Sequence, residues 1–125
     1  MKLKTSQIPE VKQKMLVKQN HRCAICRVNL RSVAARDICL DHCHVTGNVR
    51  AVLCRNCNGV EGKIFNLARR AKRDGTPDWW LKRLLDYWLH HIDNPTGVYH
   101  PTHKTEEEKR LLRNKKARQR RAKKK

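Results

Sequence analysis

The sequence predicts an α+β protein, mainly helical, built around one small metal-held β-hairpin. Three observations predict it. Two C-x-x-C pairs, Cys23/Cys26 and Cys54/Cys57, give the paired-thiol pattern of a structural zinc site. Between them, "ICLDHCH" and "VRAVLC" flank the turn signal "VTGN". Outside them, apolar residues recur at spacings of three and four, the period of an amphipathic helix.

The elements follow in chain order. Residues 8–19 read as a short helix with Ile8, Val11, Met15 and Leu16 on one face, and Pro9 suits its first turn. "NHRCAICRVNL" is a loop carrying the first thiol pair. Residues 38–44 and 49–54 are extended and close a hairpin. "RNCNGVEGKIFNLARRAKRDG" is a helix with Ile64, Leu67, Ala68 and Ala71 on one face, ended by Gly75 and Pro77. Thr76 caps the next helix and Pro77 takes its first position. There Trp80, Leu81, Leu84, Leu85, Trp88, Leu89 and Ile92 form a wide apolar stripe, which serves either as core packing or as a homodimer contact. Thr105 and Glu108 form a capping box that opens a last helix, whose continuation is too charged to bury itself and is expected to be largely disordered alone. The chain thus divides into a zinc-bound core with its N-terminal helix (1–75), an amphipathic helix and loop (76–103) and a basic tail (104–125).

Thirty Lys and Arg against 11 Asp and Glu leave a net charge of +19. That excess suits a polyanionic partner, most commonly nucleic acid. A net of +9 falls in residues 104–125. No apolar run approaches the ~20 residues a bilayer span needs. "MKLKTSQIPE" lacks the apolar core of a secretory signal. A reducing cytosol is the expected location, where the six cysteines stay as thiols or bind metal.

Two C-x-x-C knuckles, each aiming both sulfurs at one point, close a tetrahedron around zinc. The competing ligand set of Cys39, Cys43, His42 or His44 is weaker, because a strand spreads Cys39 and Cys43 roughly 13 Å apart. In a strand, Asp41 and Cys43 face one way while His42 and His44 face the other. Carboxylate and amide oxygens suit a hard cation such as Mg²⁺. Imidazole suits a general base near neutral pH. Asn58, at the start of the next helix, supplies a second oxygen across the hairpin. Alone, Asp41 or Asn58 reads better as a turn or helix cap. Together with His42 on a zinc-fixed hairpin, they favour a catalytic metal site.

"CAIC" and "LDHCHVTGNVRAVLCRNCNGVEG" resemble the recombination endonuclease VII family of bacteriophages. That family belongs to the HNH, or His-Me finger, nucleases with the ββα-metal fold. The likeness covers residues 10–63, and "GVYHPTHKTEEEK" is a softer match further on. The resemblance implies structural zinc on Cys23, Cys26, Cys54 and Cys57, one ion per chain. It implies Mg²⁺ or Mn²⁺ on Asp41 and Asn58, His42 as the base that activates water, and His44 as an orienting residue. The implied reaction is hydrolysis of DNA phosphodiester bonds, with 5′-phosphate and 3′-hydroxyl products, in the cytoplasm of a phage-infected bacterium. Arg27 stands where the family often has Gly, as does Ala51, and neither is a proposed ligand.

DNA contacts are expected from Arg50 on the second strand and from Lys115, Lys116, Arg118, Arg120 and Arg121 in the tail. A junction-resolving endonuclease, a nicking or homing-type HNH enzyme on duplex DNA, and a non-catalytic zinc-ribbon DNA-binding protein all fit the charge. Asp41, His42 and Asn58 together argue for a nuclease, and the endonuclease VII likeness with a dimer contact argues for branched DNA. Cys39 and Cys43 are left to pack as small apolar groups.

Overall fold

A two-stranded antiparallel sheet sits between two helices in the N-terminal part of the chain. The computed structural model describes residues 1–124. A 3₁₀ turn at Thr5–Gln7 leads into α1 (Ile8–Lys18), with Pro9 in the first turn where its missing N–H costs nothing. A second 3₁₀ turn (Ala35–Asp37) precedes β1 (Ile38–His42), which pairs with β2 (Val49–Cys54). α2 (Arg55–Ala71), α3 (Pro77–Asp93) and α4 (Glu106–Lys123) complete the chain. The fold is α+β and mainly helical, as the periodicity predicts.

The chain clusters into two compact units, Met1–Leu85 and Asp86–Lys125. The core of the first is Leu16 from α1, Leu30, Val52 and Leu53 from β2, and Cys23 and Cys57, all buried. Two strands alone cannot hold a core, so α1 and the cysteine knuckle cover the outer edge of β2. The Gln19 side chain takes the place of a third strand there. Its Oε1 accepts from the Val52 N–H (2.8 Å) and its Nε2 donates to the Val52 carbonyl (2.9 Å). Lys12 ties α1 to the other strand by donating to the carbonyls of Ala35 and Ile38 (3.2 and 2.9 Å).

The hairpin is irregular at one place that matters for the site. Leu40 pairs with Val52 but His42 pairs with Val49, so Arg50 and Ala51 together oppose Asp41. This one-residue bulge bends β2 and re-aims its side chains. The first strand is also shorter than its apolar pattern suggests. It ends at His42, and Cys43–Asn48 form a loop in which the Cys43 N–H donates to Asn48 and the Gly47 N–H to Cys43. Gly47 takes the positive φ (+79°) that closes this loop.

The second unit holds the C-terminal end of α3, a loop and α4. The tail is helical to Lys123, where its charge alone argues for disorder. The capping box is present, with the Glu108 N–H donating to Thr105 Oγ1 (3.2 Å) and the Thr105 N–H to Glu108 Oε2 (3.3 Å). Glu106 pairs with Lys109 and Glu107 with Arg110 one turn on. Acids in the first turn and Arg120, Arg121 and Lys123 in the last turn suit the helix dipole. Leu85, Trp88, Leu89 and Ile92 of the α3 stripe are exposed.

Candidate active site

The four paired cysteines converge. All four Sγ atoms of Cys23, Cys26, Cys54 and Cys57 lie within 4.8 Å of one another, and Cys26 Sγ is 3.9 Å from Cys54 Sγ. A tetrahedron with Zn–S bonds of about 2.3 Å has edges of roughly 3.8 Å, so the donor set fits zinc. Among the described residues it is the one such cluster of His, Cys and acidic ligands. Local structure builds it. Cys54 is both the last residue of β2 and the N-cap of α2, where its sulfur accepts from the Cys57 N–H (3.4 Å). The Cys54 N–H in turn donates to Cys23 Sγ (3.4 Å). Burial disfavours the Cys23 thiolate, but the N–H groups of Cys54, Cys26 and Ile25 outweigh it and bring the thiol down to about 6. Burial pushes the Cys57 thiol up to about 12. A divalent cation is what allows four such sulfurs to ionise side by side.

Cys39 and Cys43 stay outside this cluster, so the competing ligand set is not assembled. In the first knuckle Arg27 adopts φ +68°, in the left-handed region that favours glycine. Its N–H donates to Cys23 O (3.0 Å) and its carbonyl accepts from Arg22 (3.1 Å). Ala51 needs no such φ.

The turn end of the hairpin and α2 form a second, polar centre. Asp41 is buried at 6% exposure. The bulge turns Arg50 onto it: Nε donates to Oδ2 (2.7 Å) and Nη2 to Oδ1 (3.0 Å). Arg50 Nη2 also meets Glu61 Oε1 at 3.0 Å. The other oxygen of Glu61 lies 2.9 Å from His44 Nε2. The chain of contacts therefore runs Asp41, Arg50, Glu61, His44. His44 leaves the strand direction, because β1 ends before it, and stacks on Phe65 of α2 with centroids 4.9 Å apart. His42, exposed at the end of β1, has its ring 5.9 Å from that of His44.

Asn58 lies in the first turns of α2, half-buried, and its side chain makes no hydrogen bond among the described residues. The structure thus joins Asp41 to Arg50 directly and His44 to Arg50 through Glu61, and it brings His42 alongside, while Asn58 makes no hydrogen bond to them. Glu61 is the member that the sequence reading passes over. A signal for it exists: it follows Asn58 by three residues, which places both on one side of a helix. Cys43 is not spare packing alone. Its thiol falls to about 7 through the Thr46 hydroxyl and the N–H groups of Thr46 and Val45.

The basic residues Lys115, Lys116, Arg118, Arg120 and Arg121 surround α4 and are exposed. Among the described residues no helix is long and apolar enough to cross a membrane.

The protein is thus a small α+β protein with a four-cysteine cluster able to bind zinc at the root of its hairpin and an acid–imidazole cluster at the other end. A sequence model of the recombination endonuclease VII family matches residues 2–90, which spans both centres. The chain belongs to that family, a family of recombination endonucleases.

Proposed function

We propose that this protein is a divalent-cation-dependent DNA endonuclease with a ββα-metal, or His-Me finger, core. It hydrolyses phosphodiester bonds in branched DNA, in the manner of a Holliday-junction resolvase. The observation that carries the reading is the juxtaposition at the end of β1 of a buried carboxylate, Asp41, and an exposed imidazole, His42, on the hairpin whose root carries the four-cysteine cluster. The family membership supports a nuclease with DNA as its substrate.

In this reading zinc is structural, one ion per chain, on the four paired cysteines. Asp41 and Asn58 would hold Mg²⁺ or Mn²⁺, since both offer oxygen to a hard cation and the Asn58 amide is not engaged elsewhere. When bound, that ion supplies positive charge to the phosphate and to the leaving 3′ oxygen. The remaining work belongs to side chains. A neutral His42 accepts the proton of the attacking water, and its exposure lets a water reach it. Glu61 and Phe65 fix His44, which then orients the phosphate rather than sampling rotamers. The basic α4 and Arg50 bind the backbone of DNA, which gives affinity without sequence preference. The exposed stripe of Leu85, Trp88, Leu89 and Ile92 supports a homodimer, which a paired cut across a junction requires.

The deciding experiment offers matched four-way junction, nicked, single-stranded and linear duplex DNA with Mg²⁺. Preferred cutting of the junction is the expected outcome. Equal cutting of linear duplex would make the protein a nicking or homing-type enzyme, and binding with no cutting would make it a zinc-ribbon DNA-binding protein.

A further inference from the structure

The bulge in β2 has one chemical result: it brings a guanidinium onto the single buried carboxylate of the site. A carboxylate as buried as Asp41 needs a counter-charge. The two partners are not equally fixed. The Asp41 side chain is 8% exposed and Arg50 is 38% exposed, so Arg50 is the one that can leave. It also borders an open cavity of about 630 Å³ shared with Glu61, Cys43 and Phe65, which gives it room to turn. Its fork uses a lone pair on each oxygen of Asp41 and sets a positive charge where a second cation would approach. The same fork fits a phosphate as well as it fits a carboxylate.

We propose that Arg50 is a built-in counter-cation for Asp41: it excludes the divalent cation from the free protein and releases Asp41 when a DNA phosphate takes its guanidinium. The inference rests on Asp41 being a cation ligand, as proposed above. It adds that cation and DNA bind cooperatively, because two ligands that both favour one arrangement, with Arg50 off Asp41, must raise each other's affinity by the same factor. The free enzyme would then stay unloaded, and the reactive centre would assemble on DNA.

The test measures Mn²⁺ binding by the loss of the free-ion electron paramagnetic resonance signal, on the full zinc-loaded chain, with and without a four-way junction. A His42→Ala background blocks cutting, and Asp41→Asn with the same DNA gives the ions that DNA binds by itself. Arg50→Gln removes the charge but keeps hydrogen-bond donors for Asp41, and Arg50→Lys keeps the charge. In the free protein Arg50→Gln should tighten Mn²⁺ on the order of tenfold, and Arg50→Lys should stay near the parent. DNA should tighten Mn²⁺ for the parent by a similar factor and change little for Arg50→Gln. Asp41-dependent Mn²⁺ binding that Arg50→Gln leaves unchanged or weakens overturns the inference alone. Loss of zinc from Arg50→Gln does so too, since Arg50 would then be a fixed structural partner. If no variant shows Asp41-dependent Mn²⁺ binding, both the inference and the cation-site reading fall.

Discussion

Glu61 holds His44 and Arg50 at once: its Oε2 lies 2.9 Å from His44 Nε2 and its Oε1 lies 3.0 Å from Arg50 Nη2. One carboxylate on α2 thus contacts two side chains from the hairpin and its loop. Removing its charge while keeping its shape should loosen both. Glu61→Gln should lower junction cleavage roughly 10–100-fold, the usual cost of losing a group that orients a functional histidine. Zinc content should not change, because Glu61 does not touch the thiol cluster. Full activity in a zinc-loaded Glu61→Gln protein would show that the position of His44 is unimportant.

The thiol cluster makes a separate claim. The first unit has only a handful of buried side chains, and two of them are cysteines. Zinc on the four cysteines would stand in for apolar core, and its removal should unfold the unit. Metal analysis should find about one zinc per chain. Cys23→Ser should lose both zinc and the helical circular dichroism signal. Cys39→Ser should keep both. The reverse result would transfer the ligand role to the middle cysteines.

The hairpin, the four-cysteine cluster and the first three helices are legible in the sequence because each rests on a local period or spacing. The bulge is not. Val49 to Cys54 reads as one short β-prone run with no turn residue inside it, and the pairing that sets Arg50 and Ala51 against Asp41 is fixed only when β1 and β2 meet. His44 is misplaced for the same reason. A simple strand carries it past the end of β1, whereas contacts from Phe65 and Glu61 turn it toward α2. Glu61 is hard to see because its helix reads first as an apolar face of Ile64, Leu67 and Ala68. Only Ala68 of those three is buried, while Ile64 and Leu67 are exposed. The tail shows a limit of the charge argument. Repulsion along α4 is real, but capping and i,i+3 ion pairs at its start are local terms that net charge does not capture.

Arg27 offers a stability test that leaves the chemistry alone. It holds a left-handed conformation (φ +68°), which a side chain with a Cβ disfavours and glycine does not. Arg27→Gly should raise stability by about 0.5–1 kcal/mol, with part of the gain offset by the freer unfolded chain. Its side chain contributes no hydrogen bond among the described residues, so little else is lost. A thermal melt of the zinc-loaded protein reads the change. A lower midpoint would mean that the Arg27 side chain holds the knuckle in some other way.

Removing residues 114–125 takes away Lys115, Lys116, Arg118, Arg120 and Arg121 with the end of α4. DNA binding should weaken at low salt, and the slope of affinity against salt should flatten, because fewer counterions are released. The Met1–Leu85 unit should keep its zinc and its fold. An unchanged salt slope would assign the basic helix a role other than contact with the DNA backbone.

His42 and Cys43 are neighbours with opposite expected importance. His42 is exposed at the end of β1, and its ring meets only that of His44 among the described residues. His42→Ala should therefore leave zinc content and DNA affinity near normal while lowering the cleavage rate roughly 10²–10⁴-fold, the typical worth of a positioned general base. Asp41→Ala and Asn58→Ala should act differently, raising the Mg²⁺ needed or favouring Mn²⁺, because they remove oxygen ligands. Cys43 has a thiol held down to about 7 by Thr46, which makes it the natural rival nucleophile. Its hydrogen bonds go into its own loop, so Cys43→Ser should cut at close to the parent rate. Initial rates on one junction substrate across Mg²⁺ and Mn²⁺ titrations compare all four variants. A dead Cys43→Ser beside an active His42→Ala would move the reaction from water activation at the imidazole to chemistry at the thiol.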